Sequence, residues 1–289
     1  MQRRHFHRLS LAALAAPTLA MAKLPKIPAT WPVLEHRIGG RLGAAVLDTA
    51  GDEVLGWRLD ERFPMCSTFK WLLAAAVLQR VDAGQDRLDE RMVFAGERFD
   101  FYAPVTKQHT DAEGMSVGAL CAAAVGVSDN GAANLLLARI GGPAAVTAMA
   151  RTLGDDTTRL DRIEPALNES APGDPRDTTT PRAMARCLRA ALLGKALSPA
   201  SREQLANSMI ATTTGDHRIR AGLPHDWKVG DKTGTGPRGS TGDVAIAWPP
   251  GRAPVIVVGY LTGSKADIGR CEAALADVGR EAARIVALR

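Results

Sequence analysis

Pro64-Met65-Cys66-Ser67-Thr68-Phe69-Lys70-Trp71-Leu72-Leu73-Ala74-Ala75-Ala76-Val77-Leu78 leads from a proline into a segment that is apolar on nearly every side. A helix apolar all round has to be covered by other elements, so residues 69–81 are expected to form a buried central helix. The pattern divides around it. Upstream, residues 31–38 suit a short helix, and residues 43–48 and 54–59 suit two strands about the turn 48–52. From residue 64 to about 215 the signal is helix and loop. Strand patterns return at 227–231, 244–248 and 255–261. In the last segment, 267–288, Ile268, Cys271, Leu275, Val278, Ala282 and Ile285 recur at steps of three and four, the mark of an amphipathic helix. Strands at both ends and helices between predict an α/β (α+β) chain. Residues 23–60 and 216–289 would share an antiparallel sheet flanked by helices, with residues 61–215 inserted as a helical domain and the site in the cleft between them.

The same stretch carries chemistry. Ser67-Thr68-Phe69-Lys70 is followed, in order, by Ser128-Asp129-Asn130, Glu164-Pro165-Ala166-Leu167-Asn168 and Lys232-Thr233-Gly234. Ten Ser and eight Lys in 289 residues give about 0.3 chance matches to S-x-x-K. The four motifs together are expected by chance only a few times in a million.

Each residue has a physical reason to be there. Ser67 falls in the first turn of the buried helix, where unpaired N–H groups and the helix dipole stabilise an oxyanion. Lys70, three residues on, shares its face. A lysine held among other cations and apolar walls can lose its proton and act as a base. Ser128 offers a hydroxyl to relay a proton to a leaving nitrogen, and Asn130 an amide for a substrate carbonyl. Asp129 suits a helix N-cap and is read as structural. Strand alternation puts Lys232 and Gly234 on one side and Thr233 and Thr235 on the other. Gly234 marks a close approach. The Thr235 N–H would complete an oxyanion hole with that of Ser67, while Lys232 and the threonine hydroxyls take a substrate carboxylate. Residues 162–177 form a long loop of the kind that is usually functional. Arg162 and Asp177 would pair across its neck. Glu164 and Asn168 would hold a water, one accepting its proton and the other orienting it.

The whole chain sets bounds. Its net charge is +5, but Arg3, Arg4 and Arg8 lie in a segment expected to be removed, leaving 33 basic against 31 acidic residues. There is no basic run with interleaved aromatics, which speaks against nucleic-acid binding. Residues 1–22 read as an export signal: Arg3-Arg4-His5-Phe6 is similar to the twin-arginine pattern, residues 9–19 are a short apolar run, and Ala20-Met21-Ala22 is a small-x-small cleavage site. A periplasmic location follows as an expectation, with no stable membrane anchor. Cys66, Cys121, Cys187 and Cys271 form no C-x-x-C pair, and no structural disulfide is expected. The histidines left after processing show no metal-binding spacing, and neither metal nor organic cofactor is expected. Nothing requires an oligomer, so a monomer is expected.

These motifs resemble those of the class A serine β-lactamases, for which S-x-x-K, S-D-N and K-T-G are a signature shared with penicillin-binding proteins. The resemblance runs from about Trp31 to the end and takes in residues 102–106, Asn134 and Arg220-Ala221-Gly222. It implies that Ser67 is acylated by a β-lactam carbonyl, with Lys70, or Glu164 through water, taking its proton. Ser128 would protonate the lactam nitrogen, and Glu164 and Asn168 would drive water onto the acyl-enzyme. Tyr102 would wall the cleft, and Arg220 would join Lys232 and Thr235 on the substrate carboxylate, because Thr241 stands where many members carry a later arginine. Cys66 before the nucleophile resembles carbapenem-hydrolysing members, which bridge it to a cysteine where this chain has Gly236. That bridge cannot form here, so Cys66 is expected to be a free thiol. A D-Ala-D-Ala transpeptidase or carboxypeptidase, or a penicillin sensor, would use the same Ser67, Lys70, Ser128 and Lys232. Neither has need of Glu164 and Asn168, and the E-x-x-L-N match favours the hydrolase.

Overall fold

The computed structural model describes residues 30–288; the export segment expected at residues 1–22 lies outside them. Helix α1 (Thr30–Ile38) leads into the hairpin β1 (Arg41–Asp48) and β2 (Val54–Trp57). The helical section then holds β3 (Phe63–Pro64), a 3₁₀ turn Cys66–Phe69, α2 (Lys70–Asp82), β4 (Arg91–Met92), β5 (Met115–Ser116), α3 (Val117–Gly126), α4 (Asn130–Ile140), α5 (Pro143–Thr152), β6 (Thr178–Thr179), α6 (Pro181–Leu193) and α7 (Pro199–Ile210). The chain returns through α8 (Ile219–Gly222) to β7 (Lys228–Thr235), β8 (Thr241–Trp248), β9 (Val255–Thr262) and α9 (Ile268–Ala287). The five long strands form an antiparallel sheet in the order β2-β1-β9-β8-β7. The α/β architecture is therefore the one anticipated, with the sheet assembled from both chain ends.

Alternation along the strands divides the core in two. Val46, Ala245, Val257 and Leu261 pack with α1 and α9 on one face. Leu47, Val244, Ile246, Ile256 and Val258 pack on the other, against α2, α6 and the helical section. Both faces are covered, which explains why β8 and β9 are buried almost throughout. Helix α2 runs through the middle of the larger cluster, and Trp71, Leu72, Leu73 and Val77 have no exposed surface. Full burial of such side chains is worth about 1.5–3 kcal/mol each, so the helix that starts at Lys70 is firmly held. Strand β7 is an edge strand, and its free edge faces the helical section beside the start of α2.

Candidate active site

The start of α2 has a geometry that the apolar pattern alone did not show. Residues Cys66–Phe69 form a 3₁₀ turn, with Thr68 N–H donating to Met65 O and Lys70 N–H to Ser67 O. Three residues per turn eclipse side chains i and i+3, which stacks Lys70 over Ser67. Lys70 Nζ accordingly lies 3.0 Å from Ser67 Oγ. Cys66 enters the turn at φ 44° and Ser128 sits at φ 61°. These left-handed conformations are costly for non-glycine residues and concentrate at functional sites; here they flank the nucleophile and its proton relay.

Four elements converge on Lys70, which has no exposed surface. Its ammonium donates to Ser67 Oγ, Ser128 O (2.9 Å) and Asn130 Oδ1, and lies 3.0 Å from Glu164 Oε1. Burial is the main influence on it and pushes its pKa below that of an ordinary lysine, with Glu164 pulling the other way. Ser67 Oγ also lies 3.3 Å from Glu164 Oε1. Asn134 fixes the loop carrying Glu164, accepting from its N–H and donating to its C=O, both at 2.9 Å. Asn168 Nδ2 donates to Glu164 Oε2 at 2.5 Å. Asn168 Oδ1 is buried and has no hydrogen-bond partner. At the loop's neck, Arg162 Nε donates to Asp177 Oδ2 at 2.6 Å, closing the loop as anticipated. Asp129 caps α4 through Ala132 N–H and accepts from Val105 N–H, Thr106 N–H and the Thr106 hydroxyl. Its role is structural: it fixes the 102–106 segment, and with it Tyr102, on the cleft wall.

The strand side follows simple alternation. Lys232 faces the helical section and donates to Ser128 Oγ at 3.1 Å and to Thr233 O. Burial first, and then the charge of Lys70, hold its pKa down to about 7. Gly234 lies so near the nucleophile that a Cβ there would come within 3.1 Å of the Ser67 nitrogen and 2.6 Å of Met65 O. At Gly236 a Cβ would stand 2.7 Å from Cys66 Sγ. Cys66 is a buried free thiol facing that glycine, and burial pushes its pKa up to about 12. Thr233 and Thr235 project the other way, Thr233 Oγ1 to Thr214 Oγ1 at 2.6 Å. Ser67, Tyr102, Ser128, Asn130, Asn168 and the Thr233–Thr235 segment line one open cleft of about 360 Å³.

One expected residue is elsewhere. Arg220 turns from the cleft and donates through Nε to buried Asp231 Oδ1 at 2.8 Å. Arg218 is the arginine at the cleft, donating to Thr235 Oγ1 (2.8 Å), Gly234 O and Gly242 O (both 2.9 Å), with Glu272 behind it at 3.2 Å. The reason is electrostatic: Asp231 is fully buried and needs a cation, and Arg220 supplies it. Asp231 and Asp243 both have raised pKa values, chiefly through burial. Arg218 and Thr214 are the two cleft residues that the motifs missed. Among the described residues no cluster of His, Cys, Asp and Glu suits a metal ion.

A sequence profile described as the beta-lactamase enzyme family matches residues 32–286. The chain is 45% identical to the β-lactamase CTX-M-25 of Escherichia coli over 99% of both chains, and 47% identical to the β-lactamase OXY-1 of Klebsiella oxytoca over 81% of this chain and 80% of that one. Among solved structures, an ancestral Gram-negative class A β-lactamase superposes with a TM-score of 0.86 at 59% identity, over 89% of this chain and 98% of that one. A class A β-lactamase described as putative, PenP of Rhodopseudomonas palustris, superposes with a TM-score of 0.87 at 55% identity, over 90% and 98%. Likeness along nearly the whole length thus joins the gathering of Ser67, Lys70, Ser128, Glu164 and Lys232 about one cleft, and the chain belongs to the class A β-lactamases.

Proposed function

We propose that this hydrolase opens β-lactam rings through an acyl-enzyme on Ser67 and releases the product with a water activated by Glu164. The observation that carries the reading is the contact of Ser67 Oγ with both Lys70 Nζ and Glu164 Oε1, at 3.0 and 3.3 Å. One proton moved from Lys70 to Glu164 leaves a free amine beside the serine hydroxyl. That amine accepts the Ser67 proton as Oγ attacks the lactam carbonyl, and the developing oxyanion is met by the N–H groups of Ser67 and Thr235. The C–N bond breaks, and the ring nitrogen takes its proton from Ser128, which recovers one from Lys70 across 3.4 Å. For deacylation, Lys70, left as the amine, takes its proton back from Glu164 across 3.0 Å, and the restored Glu164 carboxylate then takes a proton from water held between it and the unpartnered Asn168 Oδ1. Hydroxide attacks the acyl carbon, the ester C–O bond to Ser67 breaks, and Ser67 Oγ leaves with a proton from Lys70, which Glu164 replaces with the one taken from water. Lys232, Thr233, Thr235 and Arg218 bind the substrate carboxylate, Asn130 its amide side chain, and Tyr102 walls the entrance.

Penicillins and cephalosporins are the proposed substrates. Export to the periplasm as a monomer, with cleavage near Ala22, is part of the same proposal; the mass of the protein recovered from the periplasm checks the cleavage. No single helix among the described residues is long and apolar enough to cross a membrane. Intact-mass spectrometry during reaction with excess benzylpenicillin, with product followed in parallel, tests the function. Fast product formation with no lasting adduct is expected. A stable adduct of one equivalent without turnover would instead indicate a penicillin-binding transpeptidase or sensor.

A further inference from the structure

Behind the 162–177 loop, on the side away from Ser67, the structure has a second enclosure of about 390 Å³. That matches the catalytic cleft and lies within the roughly 300–1,000 Å³ of small-molecule sites. Its walls combine Pro64, Leu167, Ala171 and Pro172 with five arginines: Arg41, Arg62, Arg162, Arg176 and Arg238. Three of these are neutralised, Arg41 by Glu61, Arg162 by Asp177 and Arg176 by Asp174, at 2.6–2.8 Å. The other two are not. Arg62 donates to Thr157 O and Thr178 Oγ1, and Arg238 to Glu169 O. Among the described residues neither has a carboxylate partner. Two uncompensated guanidinium groups beside an apolar hollow form the complement of a small organic anion.

We propose that this rear cavity is a second ligand site, which takes an organic acid with an apolar body and one carboxylate, phosphonate or phosphate group. The acid group pairs with Arg62 and Arg238 while the apolar body rests on Pro64, Ala171 and Pro172, with buried Leu167 beneath them. The site bears on catalysis because Leu167 belongs to the turn Ala166–Asn168 and Arg162 secures the neck of the same loop. Arg238 also ties that loop to the β7–β8 turn through Glu169 O. An occupant therefore bears on the backs of Glu164 and Asn168, and alters turnover more than substrate affinity. The effect on turnover rests on the hydrolytic reading above; the binding itself does not.

The test is a fluorine NMR titration of the purified mature protein with 4-fluorobenzylphosphonate, and with 4-fluorobenzyl alcohol as the neutral analogue. Saturable binding of the anion alone is expected. It should weaken by about tenfold or more in Arg62→Ala/Arg238→Ala, recover in Arg62→Lys/Arg238→Lys, and persist in Lys232→Ala, whose cleft has lost a cation. Melting curves of the variants separate loss of a site from loss of the fold. In parallel, saturating anion should change kcat for benzylpenicillin with little change in KM. Binding that survives the double alanine substitution, disappears in Lys232→Ala, or shifts KM alone places the anion in the catalytic cleft or nowhere and overturns the proposal. Without turnover of penicillin the hydrolytic reading fails, yet the NMR titration still decides the rear site.

Discussion

The two walls of the catalytic cleft are built on opposite principles. On the helical wall, Ser67, Lys70, Ser128, Asn130 and Glu164 bond chiefly to one another, and a proton can pass across the contacts that Lys70 makes with Ser67, Ser128 and Glu164. On the strand wall, Lys232 donates only to a hydroxyl and a carbonyl, and Arg218 reaches Thr235 and two glycine carbonyls with a single carboxylate behind it. The first wall is internally satisfied and suits proton transfer. The second keeps positive charge short of negative partners and suits an anionic substrate. Chemistry and recognition should therefore separate by wall when residues are changed, the first appearing in kcat and the second in KM.

The largest break is expected at Lys70. Lys70→Ala removes the amine beside Ser67 and should slow acylation by about 10²–10⁴ in stopped-flow measurements; acylation at the normal rate would remove Lys70 from the mechanism. Next come the two arginines. Arg218→Ala should lower kcat/KM by roughly tenfold or more, mainly through KM, as loss of charge-assisted hydrogen bonds predicts. Arg220→Ala should leave KM nearly unchanged but destabilise the fold by about 1–3 kcal/mol, because Asp231 loses its cation. Steady-state kinetics and thermal melts on both variants test that division; the opposite pattern would return Arg220 to the cleft.

The strand wall also has a pH signature. Lys232 titrates at about 7 in the free enzyme and binds the substrate carboxylate only when protonated. The ammonium is present below that pH and lost above it, so kcat/KM should fall as pH rises through about 7. A bound carboxylate favours the charged lysine, so the corresponding fall in kcat should lie at higher pH. Lys232→Arg, charged throughout, should lose this limb; a limb that persists would belong to another group, with Lys70 the first candidate. The smallest effect is expected at the loop neck. Arg162→Ala should slow deacylation several-fold more than acylation, and equal slowing of both steps in single-turnover kinetics would show that the neck does not serve Glu164 in particular.

The helical wall was easier to read from sequence than the strand wall, for a physical reason. Ser67 and Lys70 are local neighbours and lie one turn apart whether the turn is α or 3₁₀. The sheet was legible for a similar cause, since short apolar runs at residues 43–48, 244–248 and 255–261, bounded by turn residues, mark strands covered on both faces. Arg218 and Arg220 are two residues apart in a short irregular stretch, where no periodicity says which points to the cleft. Only the position of buried Asp231 on β7 decides between them, and that is a tertiary fact. Asn134, whose amide grips the Glu164 backbone thirty residues away, was visible as a family residue but not as a clamp. The rear cavity draws its walls from separate parts of the chain and has no sequence signature.

The central claim is that release from Ser67 requires the Glu164 carboxylate outright, whereas acylation uses it only to take a proton from Lys70. Glu164→Gln, mixed with benzylpenicillin, quenched on the millisecond-to-minute scale and weighed intact, tests it most directly. One equivalent of penicilloyl adduct is expected to build up on Ser67 and persist, while the unsubstituted enzyme clears it within the dead time. Release by the Glu164→Gln enzyme as fast as by the unsubstituted one, with no adduct accumulating, would contradict it.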